Sequence, residues 1–196
     1  YWNNLKNIPD TWAKKAKSEG YRSRASFKLL EIDKKYDLIR KSNLILELGS
    51  SPGGWSQVIS KKKNKNCKCI AIDILNMEKV KGVNFYKLDL YSDELYKKIK
   101  SYKNSLDLIL SDMSVNLSGI KVVDEEGNKD LNLFCLELSK KMLKPTGALL
   151  IKSFNNSNLK FLKNEFKRAF SYVYIEKPLA SKTSSQEVYL LGLVLK

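Results

Sequence analysis

Short apolar runs rich in Ile, Leu, Val and Tyr punctuate the chain, and amphipathic stretches separate most of them. The runs Asn43–Leu48, Cys67–Ile72, Val83–Leu88, Leu106–Leu110, Ala148–Ile151, Tyr172–Ile175 and Glu187–Leu195 have the length and composition of strands. Between them lie helical patterns. Arg24 to Tyr36 offers Phe27, Leu30 and Ile32 for burial, with Ser23 placed as its N-cap. A second helix is expected from Gly54 to about Lys61, and a third, capped by Ser92, runs to Lys100. Leu131, Phe134, Cys135, Leu138 and Met142 recur at helical spacing, as do Leu159, Leu162, Phe166, Ala169 and Phe170. Ser114 to Asn128 reads as a long polar loop, and Pro145-Thr146-Gly147 as a turn.

Strands that alternate with helices predict a mostly parallel sheet covered on both faces. The segment Glu176–Gln186 between the last two strands contains Pro178 and shows no helical period. Without a crossover helix those two strands are expected to be antiparallel. The fold class is therefore α/β, a seven-stranded mostly parallel sheet with an antiparallel last strand. At 196 residues a single domain is expected, with a basic helical segment over about 1–40 at its start.

The first strand runs straight into a glycine turn, Leu44-Ile-Leu-Glu-Leu-Gly49-Ser-Ser-Pro52-Gly53-Gly54-Trp55-Ser-Gln57. Strand, tight turn and helix in that order mark the place where open α/β sheets hold nucleotide-like ligands. Glycine there lets backbone approach where a Cβ would collide. Acids and a base fall at the other strand tips: Asp73, Asp89, Asp112 and Lys152. Asp73 stands about 20 residues beyond the turn, where dinucleotide folds carry an acid for the ribose hydroxyls. Asp89 suits an adenine amino group. The spacing Gly49-x-x-x-Gly53-Gly54 is not G-x-G-x-x-G, and no Lys-Ser or Lys-Thr follows it as in a P-loop. A phosphate-free adenosine cofactor, S-adenosylmethionine, fits better than NAD.

Charge narrows the partner. Lys and Arg number 36 against 21 Asp and Glu, a net +15, which suits a polyanion such as RNA. Part of the excess is compositional, as in the Lys-Asn run Lys61–Asn66. The chain has no histidine, which removes His-dependent triads, and its cysteines, Cys67, Cys69 and Cys135, are spaced unlike zinc ligands. Buried reduced thiols and no metal site are expected. No apolar run approaches a membrane span, and the first residues show no signal-peptide layout. An intracellular protein without membrane contact is expected, the compartment left open.

The motifs Glu19-GYRSRASFKL-Leu30, Gly49-SSPGGWSQ, Ile72-Asp73-Ile74-Leu75, Ser111-Asp112-Met113, Leu150-IKSF and Ser185-Gln186-Glu187-Val188-Tyr189, in this order, resemble the FtsJ/RrmJ-type ribosomal RNA 2′-O-ribose methyltransferases. The resemblance implies a Rossmann-like S-adenosylmethionine-dependent methyltransferase fold and a Lys-Asp-Lys-Glu tetrad on Lys28, Asp112, Lys152 and Glu187. It implies cofactor contacts along Gly49, Pro52, Gly53, Gly54 and Trp55, and at Asp73, Ile74, Asp89, Leu90 and Asp112. It further implies methylation of a uridine ribose in large-subunit rRNA by a monomer, releasing S-adenosylhomocysteine. Two positions depart from the usual pattern: Ser51 replaces an Ala, and Ser114-Val115 replaces Ala-Pro after Ser-Asp-Met. Lys152 is expected to meet the hydroxyl as base or orienting group, with Lys28, Asp112 and Glu187 fixing its place. Lys14, Lys15, Lys17, Arg22 and Arg24 are expected to bind RNA, with Trp12 and Tyr21 able to stack on bases. A transfer RNA ribose methyltransferase and a catalytically silent RNA-binding assembly factor stand as the alternatives.

Overall fold

A computed structural model describes residues 10–196. Seven strands form one sheet: β1 (Leu44–Leu48), β2 (Lys68–Asp73), β3 (Val83–Lys87), β4 (Leu106–Ser111), β5 (Leu143–Phe154), β6 (Phe170–Glu176) and β7 (Glu187–Leu195). Their spatial order is β3-β2-β1-β4-β5-β7-β6. β1 through β5 pair in parallel, while β7 inserts antiparallel to both β5 and β6. The expected mostly parallel sheet with an antiparallel last strand is what forms.

The helices are α1 (Thr11–Ser18), α2 (Ala25–Tyr36), α3 (Gly54–Lys62), α4 (Asp93–Ile99), α5 (Lys121–Met142) and α6 (Leu159–Ala169). Strand side chains alternate between faces, so each strand serves two layers. Ile45, Leu108, Leu110 and Leu150 pack with Leu29, Ile32, Val58 and Ile59 of α2 and α3. Leu46, Leu48, Ile109, Leu149 and Ile151 pack with Leu95, Cys135, Leu136 and Phe166 of α4, α5 and α6. All three cysteines are buried and unpaired. Burial pushes the Cys135 thiol up to about 12, so it is a packing group.

Four local expectations need correction. Ser23 does not cap α2: the N-cap residue is Arg24, without a side-chain bond, and the Ser23 hydroxyl lies against Gly54. Ser92 holds the N-cap position of α4, but its hydroxyl donates to the Asp89 carbonyl at 2.6 Å. The loop expected over Ser114–Asn128 ends at Ile120, because α5 starts at Lys121. Its first turns bury nothing, and their only apolar side chains, Val122 and Val123, are adjacent and exposed, so they carry no apolar period; the first buried residue is Leu131. Pro145-Thr146-Gly147 is a bulge inside β5, where pairing with β4 passes from Leu106↔Leu143 to Leu108↔Ala148.

Candidate active site

The parallel register brings the carboxyl ends of the strands to one level. Leu48 pairs with Ile72 and with Ser111, and Ser111 with Ile151. The next residues, Gly49, Asp73, Asp112 and Lys152, therefore emerge along a single edge. The sheet order reverses between β1 and β4, the switch point where ligands enter such sheets. A cleft of about 510 Å³ opens there, lined by Gly49, Ser51, Asp73, Ile74, Leu75, Leu88, Asp89, Leu90, Tyr91, Asp112 to Asn116, and Leu131.

Its chemistry is distinctive within so basic a chain. Three carboxylates line the cleft, and no Lys or Arg does among the described residues. The Asp73 carboxylate accepts the Ser51 N–H on Oδ2 and the Leu75 N–H on Oδ1, both at 2.8 Å. Each oxygen keeps a lone pair for a vicinal diol. Asp89 Oδ1 accepts the Tyr91 N–H at 2.9 Å and leaves Oδ2 free to face a ligand amine. Ile74, Leu90 and Leu131 supply apolar faces. An acidic, cation-free lining rejects pyrophosphate and suits a nucleoside that carries positive charge, so the residues present fit S-adenosylmethionine.

Beside the cleft stands the tetrad. Lys152 on β5 pairs across the antiparallel ladder with Tyr189 on β7, and Phe154 pairs with Glu187. Lys28 of α2 reaches over from the adjoining face. Lys28 Nζ donates to Glu187 Oε1 at 2.5 Å, and Lys152 Nζ lies 3.6 Å from Asp112 Oδ1. Two ammonium groups thus balance two carboxylates, all mostly shielded from water. Burial raises the Asp112 carboxyl above the ordinary range, although Lys152 and the Tyr189 hydroxyl oppose the shift. Burial works on Glu187 too, but the bond and charge of Lys28 outweigh it and hold Glu187 low.

Tyr189 was not singled out from the sequence. Its buried hydroxyl donates to Asp112 Oδ1 at 2.7 Å and lies 3.3 Å from Glu187 Oε1, tying the two carboxylates together. Burial, reinforced by those two carboxylates, pushes its pKa well above the usual phenol value, so it remains a donor. The signal was available: Tyr189 is two residues from Glu187 on a strand and so shares its face. Glu47 was also passed over. Two residues from Ile45 on β1, it shares that residue's face toward α3, where Ser56 donates to it. Burial, aided by Asp112 and Asp73, pushes its carboxyl up to about 8.

Several residues expected at the cofactor or the RNA lie outside the cleft lining. Pro52, Gly53, Gly54 and Trp55 do not line the cleft; they receive the segment that leads into α2. The Trp55 indole donates to the Ala25 carbonyl at 2.8 Å, and its ring meets Tyr189 at 5.8 Å. Gly53, at φ +111°, would bring a Cβ to 2.6 Å from Arg22 Nη1. Gln57 accepts the Arg22 N–H at 2.8 Å and donates to the Gly20 carbonyl at 2.9 Å. Two of the residues expected to meet RNA turn their guanidinium groups inward in the free chain. Arg22 donates to the carbonyls of Pro52, Glu78 and Lys79, and Arg24 to Asp10 and the Ala180 carbonyl. Trp12 and Tyr21 pack on Phe27, with ring centroids at 5.3 and 5.6 Å, rather than standing free for bases. Lys15 lies over the Trp12 and Phe27 rings. Lys14 and Lys17 are exposed and make no ion pair among the described residues.

This geometry meets its match in known proteins. Residues 21–195 fit the family model described as FtsJ-like methyltransferase. The chain belongs to that family. A ribosomal RNA large subunit methyltransferase E from Dechloromonas aromatica is 38% identical over 97% of this chain and 94% of that protein. Its namesake from Neorickettsia sennetsu is 41% identical over 95% and 88%. The crystal structure of a ribosomal RNA methyltransferase from Plasmodium falciparum superimposes with a TM-score of 0.77 at 30% identity, covering 89% of this chain and 98% of that one. Among the described residues of this FtsJ-like methyltransferase, no helix is long and apolar enough to cross a membrane, and no acid or Cys cluster suits a metal.

Proposed function

We propose that this chain moves the methyl group of S-adenosylmethionine to a ribose 2′-hydroxyl of large-subunit ribosomal RNA. One observation carries the reading: Asp112 belongs at once to the acidic cleft wall and to the Lys152 ion pair, so cofactor and tetrad meet at a single side chain. Asp73 would hold the cofactor's ribose and Asp89 its adenine, with Gly49, Ile74 and Leu90 shaping the walls. The bound sulfonium supplies an electrophilic methyl group.

The protein's work is alignment and proton handling. Lys152 Nζ, once its own proton has passed to solvent, meets the 2′-hydroxyl as the free amine and takes its proton as the oxygen attacks the methyl carbon, the carbon–sulfur bonding pair leaving with S-adenosylhomocysteine. Asp112 Oδ1 stabilises the ammonium so formed and is itself steadied by the Tyr189 hydroxyl. Lys28, fixed by Glu187, offers a second ammonium to developing negative charge on oxygen. The exposed Lys14 and Lys17 of α1 draw the phosphate backbone toward this edge. The names of the relatives favour the ribosomal substrate over transfer RNA.

The test supplies S-adenosylmethionine with a radiolabelled methyl group to naked large-subunit rRNA, assembled large subunits and bulk transfer RNA, then maps the modified nucleotide. Label on one 2′-oxygen of large-subunit RNA is expected. Label on a base, or on transfer RNA alone, overturns the assignment.

A further inference from the structure

We propose that Arg22 is a positioning residue for the cofactor: from behind the cleft, its guanidinium fixes the spacing of the two turns that form one end of the binding site. Nη1 donates to the Pro52 carbonyl at 3.1 Å and to the Glu78 carbonyl at 2.7 Å; Nη2 donates to the Lys79 carbonyl at 3.0 Å. Pro52 follows Gly49 and Ser51 of the first turn, and Glu78 and Lys79 follow Asp73, Ile74 and Leu75 of the second. Both sets of preceding residues face the cleft.

On the ligand side the same gap is closed by Ser51, whose N–H donates to Asp73 and whose hydroxyl donates to the Asn76 carbonyl at 3.0 Å. Ser51 and Arg22 therefore each bridge the two turns, Ser51 from the cleft lining and Arg22 from outside it. Three carbonyls converging on one cation suit a planar, permanently charged fork and not a single ammonium. The turn is shaped to admit it, since the left-handed Gly53 leaves the space that Nη1 fills. Arg22 itself stands just ahead of α2, which carries Lys28, and its backbone N–H is held by Gln57 of α3. Cofactor site and base site are thereby set by one local framework. The inference rests on the methyl-transfer reading, because it takes the cleft to hold the adenosine moiety.

The test compares wild type, Arg22→Lys and Arg22→Ala. S-adenosylhomocysteine affinity is read by calorimetry, RNA affinity at saturating S-adenosylhomocysteine by filter binding, and amide hydrogen exchange on the cofactor-free chain. Arg22→Ala should weaken S-adenosylhomocysteine at least about tenfold, and Arg22→Lys by an intermediate factor. RNA affinity should stay within about twofold, because no phosphate contact is lost. Exchange should quicken at residues 50–54 and 74–80 ahead of the β1 and β4 core. A lower melting temperature with unchanged S-adenosylhomocysteine affinity overturns the proposal. So does weakened RNA binding with cofactor affinity intact, which would return Arg22 to the RNA surface. If Arg22→Ala does not fold, the Arg22→Lys affinity decides alone. A wild-type chain that binds no S-adenosylhomocysteine refutes the methyl-transfer reading itself, whatever the variants do.

Discussion

Two sets of carboxylates share one sheet edge and are held in opposite ways. In the cleft, Asp73 and Asp89 rest on backbone N–H groups, and no cation lines the wall among the described residues. In the tetrad, Asp112 and Glu187 face the ammonium groups of Lys152 and Lys28 and share the Tyr189 hydroxyl. The first arrangement fixes carboxylates without neutralising them, which leaves negative charge for a cationic ligand. The second cancels charge almost completely, which leaves protons free to move at little electrostatic cost. Partner chemistry, more than residue type, separates binding from catalysis here.

Substitutions on the two sides should therefore fail differently. Lys152→Ala carries the largest expected effect: methyl transfer in a single turnover falls about 10²–10⁴-fold. S-adenosylhomocysteine affinity by calorimetry stays within about threefold, since Lys152 is absent from the cleft wall. Turnover close to wild type would remove Lys152 from the reaction. Asp73→Asn comes next and shows the converse. Losing charge-assisted bonds worth about 1.5–3 kcal/mol should weaken S-adenosylhomocysteine roughly 10- to 150-fold. The rate at saturating cofactor should fall much less. Equal losses in affinity and rate would mean the two sets are not separable.

The strand tips were legible because β-strands announce themselves by short apolar runs, and a glycine turn marks which end carries the ligand. Asp73 and Asp112 follow from strand boundaries alone; Lys152 lies two residues inside β5, which runs on to Phe154 past the end expected at Ile151. The first turns of α5 were illegible because no residue from Lys121 to Asp130 is buried and the stretch carries no apolar period to read. The inward turn of Arg22 and Arg24 was illegible for another reason. Their acceptors are mostly backbone carbonyls, and a carbonyl has no signature in a sequence. Trp12 and Tyr21 share the problem, since only tertiary structure shows that Phe27 fills the space between them. Pattern thus reveals which residues reach the edge, but not which of the long cations bend back.

Tyr189→Phe tests whether the two sets are joined only through Asp112. The change keeps the ring against Trp55 and removes the donor shared by Asp112 and Glu187. A roughly tenfold fall in rate is expected, from the loss of about 1–2 kcal/mol of ionic hydrogen bonding. The pH profile gives the sharper reading. The Tyr189 hydroxyl opposes the upward push of burial on Asp112. Removing it raises that carboxyl further, so Asp112 ionises only at higher pH and the acid limb of the rate profile moves upward. An acid limb that stays in place would assign the fall in rate to packing.

The smallest effect concerns cations outside both sets. Arg24 donates to Asp10 and to the Ala180 carbonyl, whereas Lys14 and Lys17 on α1 have no ion-pair partner among the described residues. Each phosphate contact on single-stranded RNA contributes about 0.7 to the slope of log affinity against log salt. Neutralising Lys14 and Lys17 together to Gln should lower that slope by about 1.4 if both touch phosphate, with a several-fold loss of affinity near 0.1 M salt. Arg24→Gln should leave the slope unchanged and lower the melting temperature instead, because its charge is spent inside the fold. The opposite pattern, a shallower slope for Arg24→Gln and none for the lysine pair, would show that Arg24 leaves its internal partners when RNA arrives. The inward turn of that guanidinium would then describe only the free protein.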